Sequence, residues 1–244
     1  MKLRAVGRLF WFLWELVVVL LDYLGTTAFS RPSSKRLNQA RWLHRSCIRH
    51  LRVFGCHSEF DGTPPTRGLL VLNHLSYLDI LVLSAITPAV FVSKSEVRHW
   101  PLFGWLSTLG GTLFIQRARR THVGVVNQEI RQALEQGLLV VVFPEGTSTN
   151  GQEVLPFRSP LLEPVVEGGH PITVGRIRYL LDDGDASREV CYWGNHTFLT
   201  HALRLMGKRL IHARVGFAPF PPGHRDRKAL AVELREAVLA LTPP

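Results

Sequence analysis

The sequence predicts an α/β fold: a mixed, largely parallel sheet covered by helices on both faces, with a helical hairpin in front of it. Three observations predict it. Short apolar runs of strand length recur from about residue 52 onward. Segments of helical periodicity separate them, and strands joined through helices lie parallel and need cover on both sides. The first 50 residues break this pattern, being two helical stretches rich in apolar and basic side chains.

At 244 residues, with 46% apolar and 20% charged side chains, the chain fits one large α/β domain with a short appendage and is no disordered tail. The formal net charge of +10 points to an anionic partner: nucleic acid, phospholipid headgroups or a phosphorylated substrate. In the first 50 residues nine Lys or Arg stand against only Glu15 and Asp22, beside the most apolar stretch. That pairing favours a membrane surface over nucleic acid. Cys47, Cys56 and Cys191 are scattered, form no disulfide framework or CxxC knuckle, and read as buried thiols in a reducing compartment. The expected organisation is a membrane-binding helical segment over residues 1–52 and the main domain over 53–244.

Leu9–Leu21 is apolar except for Glu15, and Asp22 follows at once. A spanning helix needs about 20 apolar residues, and a central acid costs roughly 2.5–3.5 kcal/mol on insertion, so the stretch is marginal as a span. After a break at Ser30–Ser34, Leu37, Ala40, Leu43, Cys47, Ile48 and Leu51 recur at helical spacing, with Arg41, Arg45, Arg49 and Arg52 on another face. A basic amphipathic helix of this kind suits the headgroup layer, apolar side down. Four readings stand open: a hairpin dipping into one leaflet, a single span, a cleaved signal peptide, or a buried helix. Lys2, Arg4 and Arg8 before the apolar run and Ala28 after it suit a signal peptide, but Trp11, Trp14, Glu15 and Asp22 make a poor signal core.

In the body, Leu69–Leu72, Ala89–Val92, Thr112–Ile115, Leu138–Phe143, Ile172–Arg176 and Ala213–Phe217 read as strands. Tyr77–Ala85, Thr121–Gln136, Pro160–Glu167 and Arg225–Leu241 read as helices, the second ended by Gly137. Residues 182–210 yield no element beyond an exposed turn at Asp182–Asp185.

Three places carry chemistry. The first is Asn73-His74-Leu75-Ser76-Tyr77-Leu78-Asp79, directly after a strand. On one helix, positions five apart sit about 140° around the axis and do not meet. They meet if His74 lies on the strand-exit loop and Asp79 in the first helical turn, with Ser76 as N-cap. Asp79 then fixes the tautomer and leaves Nε2 as a base. In a chain with 11 histidines this pair alone says little, and Asp79 could simply support its helix end. The second place is Gly111–Arg117, a strand ending in a side chain suited to gripping phosphate, or merely a solvated arginine. The third is Val140–Ser148, where Pro144 stops a strand, Gly146 permits a tight turn, and Glu145 faces the strand's carboxyl end, where open α/β sheets place ligands.

Together these places resemble the glycerolipid acyltransferase family, most closely the 1-acylglycerol-3-phosphate acyltransferases (PlsC-like). The family's blocks read here NHLSYLD (73–79), GTLFIQR (111–117), FPEGTS (143–148) and HPITVGRIRY (170–179), over roughly residues 50–220. The resemblance implies that His74 is the general base, oriented by Asp79. It implies that Arg117, Glu145 and Gly146 form the acceptor site, with Lys94 adding charge at a phosphate and Pro171 in a packing or acyl-pocket position. Two departures put the acceptor in doubt: Phe157-Arg158-Ser159 keeps the family's basic residue, Arg158, but loses the following glycine, and Val174-Gly175-Arg176 stands where proline is usual. His196 and His201 are expected to be surface or packing residues.

The implied reaction moves a fatty acyl group from acyl-CoA or acyl carrier protein to a lysophospholipid hydroxyl, with 1-acylglycerol-3-phosphate giving phosphatidate as the leading case. A lyso-aminolipid such as lyso-ornithine lipid is the alternative acceptor, and a non-catalytic anionic-lipid-binding protein the alternative class. No metal or cofactor is expected, no nucleic acid, and the expected place is the cytoplasmic face of the inner membrane or another membrane surface.

Overall fold

The computed structural model describes residues 2–116, 120–223 and 226–243. Among the described residues, seven strands form one sheet in the order β1-β7-β6-β2-β5-β3-β4. They are β1 (Cys56–Asp61), β2 (Gly68–Leu72), β3 (Val90–Lys94), β4 (Leu113–Ile115), β5 (Leu139–Val142), β6 (Ile172–Leu181) and β7 (Ile211–Phe220). All neighbours pair parallel except β6 with β7. The sheet is therefore mixed and largely parallel, as its strand–helix alternation predicts.

The central strand β2 is buried along its whole length, which its unbroken apolar run requires of a strand covered on both faces. Its alternating side chains feed two cores. Leu70 and Leu72 join the core under α1 (Lys2–Thr26), α2 (Pro32–Phe54), α3 (Leu78–Ile86) and α8 (Phe198–Gly207). Leu69 and Val71 join the one under α5 (Arg120–Glu135), α6 (Glu163–Gly168) and α9 (Arg227–Ala240). Gly137 ends α5 as expected, with φ +71° and its N–H on Leu134 O at 2.9 Å.

Among the described residues, one strand and three α-helices escaped the sequence reading, as did the short 3-10 turn Ser95–His99. β1 is a polar edge strand, paired on one side only and mostly exposed. α4 (Phe103–Leu109) and α7 (Ala186–Glu189) are too short for a periodic signal. α8 does carry one, since His201, Ala202, Leu205 and Met206 are buried on one face.

α1 and α2 form a hairpin. The Trp42 indole N–H donates to Val19 O at 2.7 Å, Arg45 meets Asp22 at 2.8 Å, and Arg49 meets Glu15. The acids that weaken α1 as a span thus bind arginines of α2. The expected orientation of α2 is corrected: its apolar side, including Trp42, Cys47, Leu51 and Phe54, packs into the protein and does not face lipid. The exposed apolar stripe lies on α1, at Leu3, Val6, Phe10, Leu13, Val17 and Leu21. A division at residue 52 falls inside α2, and Phe12 and Leu16 of α1 share the main core. Among the described residues, α1 is the one helix long and apolar enough to cross a membrane.

Candidate active site

The chain leaves the centre of the sheet at Asn73. Its side chain copies a strand residue, donating to Ile177 O at 3.0 Å and accepting from Ile177 N at 2.8 Å, and so prolongs the β2–β6 pairing. This fixes where His74 begins. The His74 main chain is then held at both ends by the turn after β5: its N–H donates to Glu145 Oε1 at 2.7 Å, and its carbonyl accepts from Thr149 N at 2.9 Å. Its imidazole stacks on Phe143, centroids 4.1 Å apart.

His74 Nδ1 lies 2.7 Å from Asp79 Oδ2. The same oxygen accepts the N–H groups of Leu75 at 2.7 Å and Ser76 at 3.1 Å, while Oδ1 accepts the Tyr179 hydroxyl at 2.7 Å. Asp79 is fully buried, and four converging donors are what a buried carboxylate needs. Burial, and then the Asp79 charge, raises the Tyr179 phenol well above its ordinary value, so it remains a donor. With Nδ1–H on the carboxylate, Nε2 is the free lone pair, on a side chain that is 21% exposed. The expected N-cap is corrected: the Ser76 hydroxyl is buried without a partner among the described residues, and Asp79 gathers the loop N–H groups instead. Asp79 therefore supports the helix start and orients the imidazole at once.

His74 opens on a cavity of about 240 Å³ lined also by Lys94, Phe143, Gly146, Thr147 and Tyr192. Gly146, with φ +76°, makes the reversal that brings residues 147 and 148 to its rim. An apolar cavity of about 110 Å³ lies between the hairpin, α3 and α4. The two share Tyr77, Ile80, Ser93, Val97 and Trp100 as wall. A base thus looks into a space adjoining an apolar one.

Two other expected residues are placed differently. Glu145 is only 2% exposed, and its carboxylate is used up on the N–H groups of His74 and Leu155, each at 2.7 Å. It holds the loop and does not line the cavity, which corrects its expected acceptor contact. Burial raises its pKa against the lowering effect of those two N–H donors. Arg158 lies beside Pro144 at a separate cavity across Phe143, with Ile115 in the same wall. Arg117 lies outside the described residues. Pro171 is exposed, its carbonyl accepting from Leu69 N at 2.9 Å, which corrects its expected packing or acyl-pocket position. His201 is a buried packing residue, its Nδ1 3.0 Å from the Tyr77 hydroxyl, whereas His196 is half-buried and stacks on it.

A model of the family described as Acyltransferase matches residues 57–175, which hold His74, Asp79, Lys94, Glu145 and Gly146 but neither Tyr179 nor Tyr192. The chain is also 35% identical over 210 residues to the lyso-ornithine lipid O-acyltransferase of Pseudomonas aeruginosa, covering 85% of this chain and 78% of that one. The chain belongs to the PlsC-like glycerolipid acyltransferase family. As a member it is an O-acyltransferase. A second relative, the 1-acyl-sn-glycerol-3-phosphate acyltransferase of Neisseria meningitidis, is 28% identical over 179 residues, or 72% of this chain and 70% of its own. The crystal structure of the 1-acyl-sn-glycerophosphate acyltransferase PlsC from Thermotoga maritima shares the fold, with TM-score 0.64 at 18% identity over 96% of this chain and 94% of that one.

Three site residues of this acyltransferase were missed by sequence reasoning. Tyr179 lies within the fourth block but some 100 positions from its partner Asp79, so no local pattern reveals it. Tyr192 donates its N–H to Leu75 O at 2.7 Å and accepts the Ser148 hydroxyl on its carbonyl, from a segment with no motif. Tyr77 stands inside the first block, where its aromatic bulk was the available signal.

Proposed function

We propose that this acyltransferase moves a fatty acyl group from an acyl thioester, acyl-CoA or acyl carrier protein, to the free hydroxyl of a lysolipid at a membrane surface. The observation that best supports this is the His74–Asp79 contact beside two adjoining cavities, one of mixed lining that includes Lys94 and one apolar. In this reading Nε2 of His74 takes the proton as the acceptor hydroxyl attacks the thioester carbonyl. The tetrahedral intermediate then expels the thiolate, which regains the proton from His74. The apolar cavity takes an acyl chain, and Lys94, with Arg117 and Arg158, attracts the anionic headgroup. The α1 stripe rests in the leaflet on the cytoplasmic face, so that the lipid reaches the cavity without crossing water. No cofactor is required.

The first acceptor is 1-acylglycerol-3-phosphate, which suits this cationic set. A second reading, lyso-ornithine lipid, is favoured by the higher identity to the Pseudomonas aeruginosa relative. Mass spectrometry of products decides between them when purified protein receives both lysolipids with acyl-CoA and, separately, acyl carrier protein thioester. Phosphatidate supports the first reading and ornithine lipid the second. Absence of any acyl transfer across a wider lysolipid panel contradicts both and favours a lipid-binding role alone.

A further inference from the structure

Ser46 and His50 lie one turn apart on α2, and both line the apolar cavity. They are 5% and 7% exposed. The His50 Nδ1–H donates to Ser46 O at 2.8 Å, which leaves Nε2 as an acceptor. Among the described residues, neither His50 Nε2 nor Ser46 Oγ has a hydrogen-bond partner. Most of the surrounding wall is apolar, including Phe12, Val19, Trp42, Leu43 and Phe54, and the Phe12 ring meets the imidazole edge-on at 5.2 Å. Burial lowers the His50 pKa, which keeps the ring neutral.

A buried polar atom without a partner destabilises a fold, because it has given up water and gained nothing in return. Two of them, one acceptor and one hydroxyl, sit on neighbouring side chains in the wall of the same largely apolar space. The pair is complementary to an alcohol, whose O–H can donate to Nε2 while its oxygen accepts from Ser46. A ketone or ester oxygen satisfies Ser46 alone, and a methylene satisfies neither.

We propose that His50 and Ser46 form a recognition site for a hydroxyl carried on the acyl chain that occupies this cavity. The inference rests on the proposed function in taking the cavity as an acyl-chain site, and it makes the pair a specificity determinant for hydroxylated chains. The hydroxyl could belong to the chain of the lysolipid or to that of the thioester.

The test uses the purified full-length protein in two arms. In one, acyl-CoA donors of a single length carry no hydroxyl or one walked along the chain; in the other, the lysolipid's own chain is varied in the same way. The expected result is a preference of about tenfold or more in kcat/KM for one hydroxyl position in one arm. His50→Phe and Ser46→Ala should each bring the kcat/KM ratio between the favoured hydroxylated chain and the unsubstituted one back to about one. Equal kcat/KM at every position in both arms overturns the proposal, as does a preference that survives both variants. Turnover of unsubstituted chains in the same assays shows that the acyl-transfer reading stands on its own. Binding of the corresponding free fatty acids, read by quenching of the tryptophans that line the cavity, gives the same comparison without turnover. Equal binding of hydroxylated and plain chains means that the pair is met by water only.

Discussion

Four donors on one buried carboxylate make Asp79 the fixed point of the site, and the predictions at this scale follow from removing them one at a time. Tyr179→Phe takes a donor away from Oδ1 and leaves the His74 contact in place. A hydrogen bond to a charged group contributes about 1.5–3 kcal/mol, so kcat should fall about 10- to 100-fold with KM little changed. An unaltered kcat would make Tyr179 a packing residue. Glu145→Gln keeps the side-chain size but turns an amide NH₂ toward one of two backbone donors. It should cost about 1–3 kcal/mol in thermal or chemical unfolding and lower kcat as the His74 loop loosens. A variant with normal stability would contradict Glu145 as a loop clamp. The sequence made the His74–Asp79 pair legible because the spacing allows contact across a strand-to-helix turn. It suggested an acceptor contact for Glu145 because a carboxylate between Pro144 and Gly146 looks presented to ligand. Its real partners are main-chain N–H groups, which carry no sequence signature.

The hairpin shows how much an element depends on what packs against it. Periodicity revealed both helices, but not which apolar face meets protein and which is left bare. α2 buries its apolar side because α3 and α1 lie over it, and the arginines of its other face are drawn to Glu15 and Asp22. Arg49→Ala leaves Glu15, which is 6% exposed, with the Trp11 N–H as its remaining side-chain donor. The expected cost is about 1–3 kcal/mol in unfolding experiments. Arg45→Ala, at a more exposed pair, should cost less than about 1 kcal/mol. Reversal of that order would mean the two ion pairs do not hold the hairpin as described. The bare stripe on α1 leads to a separate expectation. The double change Phe10→Glu and Leu13→Glu should abolish flotation with anionic vesicles while the far-ultraviolet circular dichroism is retained, and undiminished flotation would put the lipid contact elsewhere. Strands β2 to β7 were legible as apolar runs; β1 was not, because an edge strand paired on one side keeps polar residues.

At the scale of the whole molecule, the alternation of strands and helices was enough to predict a mixed sheet with two covers, while the sheet order depends on long-range pairing that sequence pattern does not encode. That order puts β2 and β5 side by side, so that the loops bearing His74 and Glu145 meet at the carboxyl end of the sheet. Folding also buries a second histidine, His201, against Tyr77 and Tyr192. Burial first, and then His196, pushes the His201 imidazole down to about 4 from its ordinary 6.5. The unfolded chain therefore binds the extra proton between those two values, so stability falls as pH drops through that window and levels off below it. His50, also lowered by burial, acts in the same direction. Melting temperature followed against pH should decline on acidification, and more shallowly in His201→Asn; an unchanged slope would locate the acid sensitivity in other groups. The central claim is that the imidazole tied to Asp79 activates the acceptor hydroxyl. It is tested most directly by single-turnover acyl transfer with purified His74→Ala beside wild type, the two matched for circular dichroism and vesicle binding. The account predicts a loss of about 10²- to 10⁴-fold in rate; a variant that transfers the acyl group at the wild-type rate would contradict it.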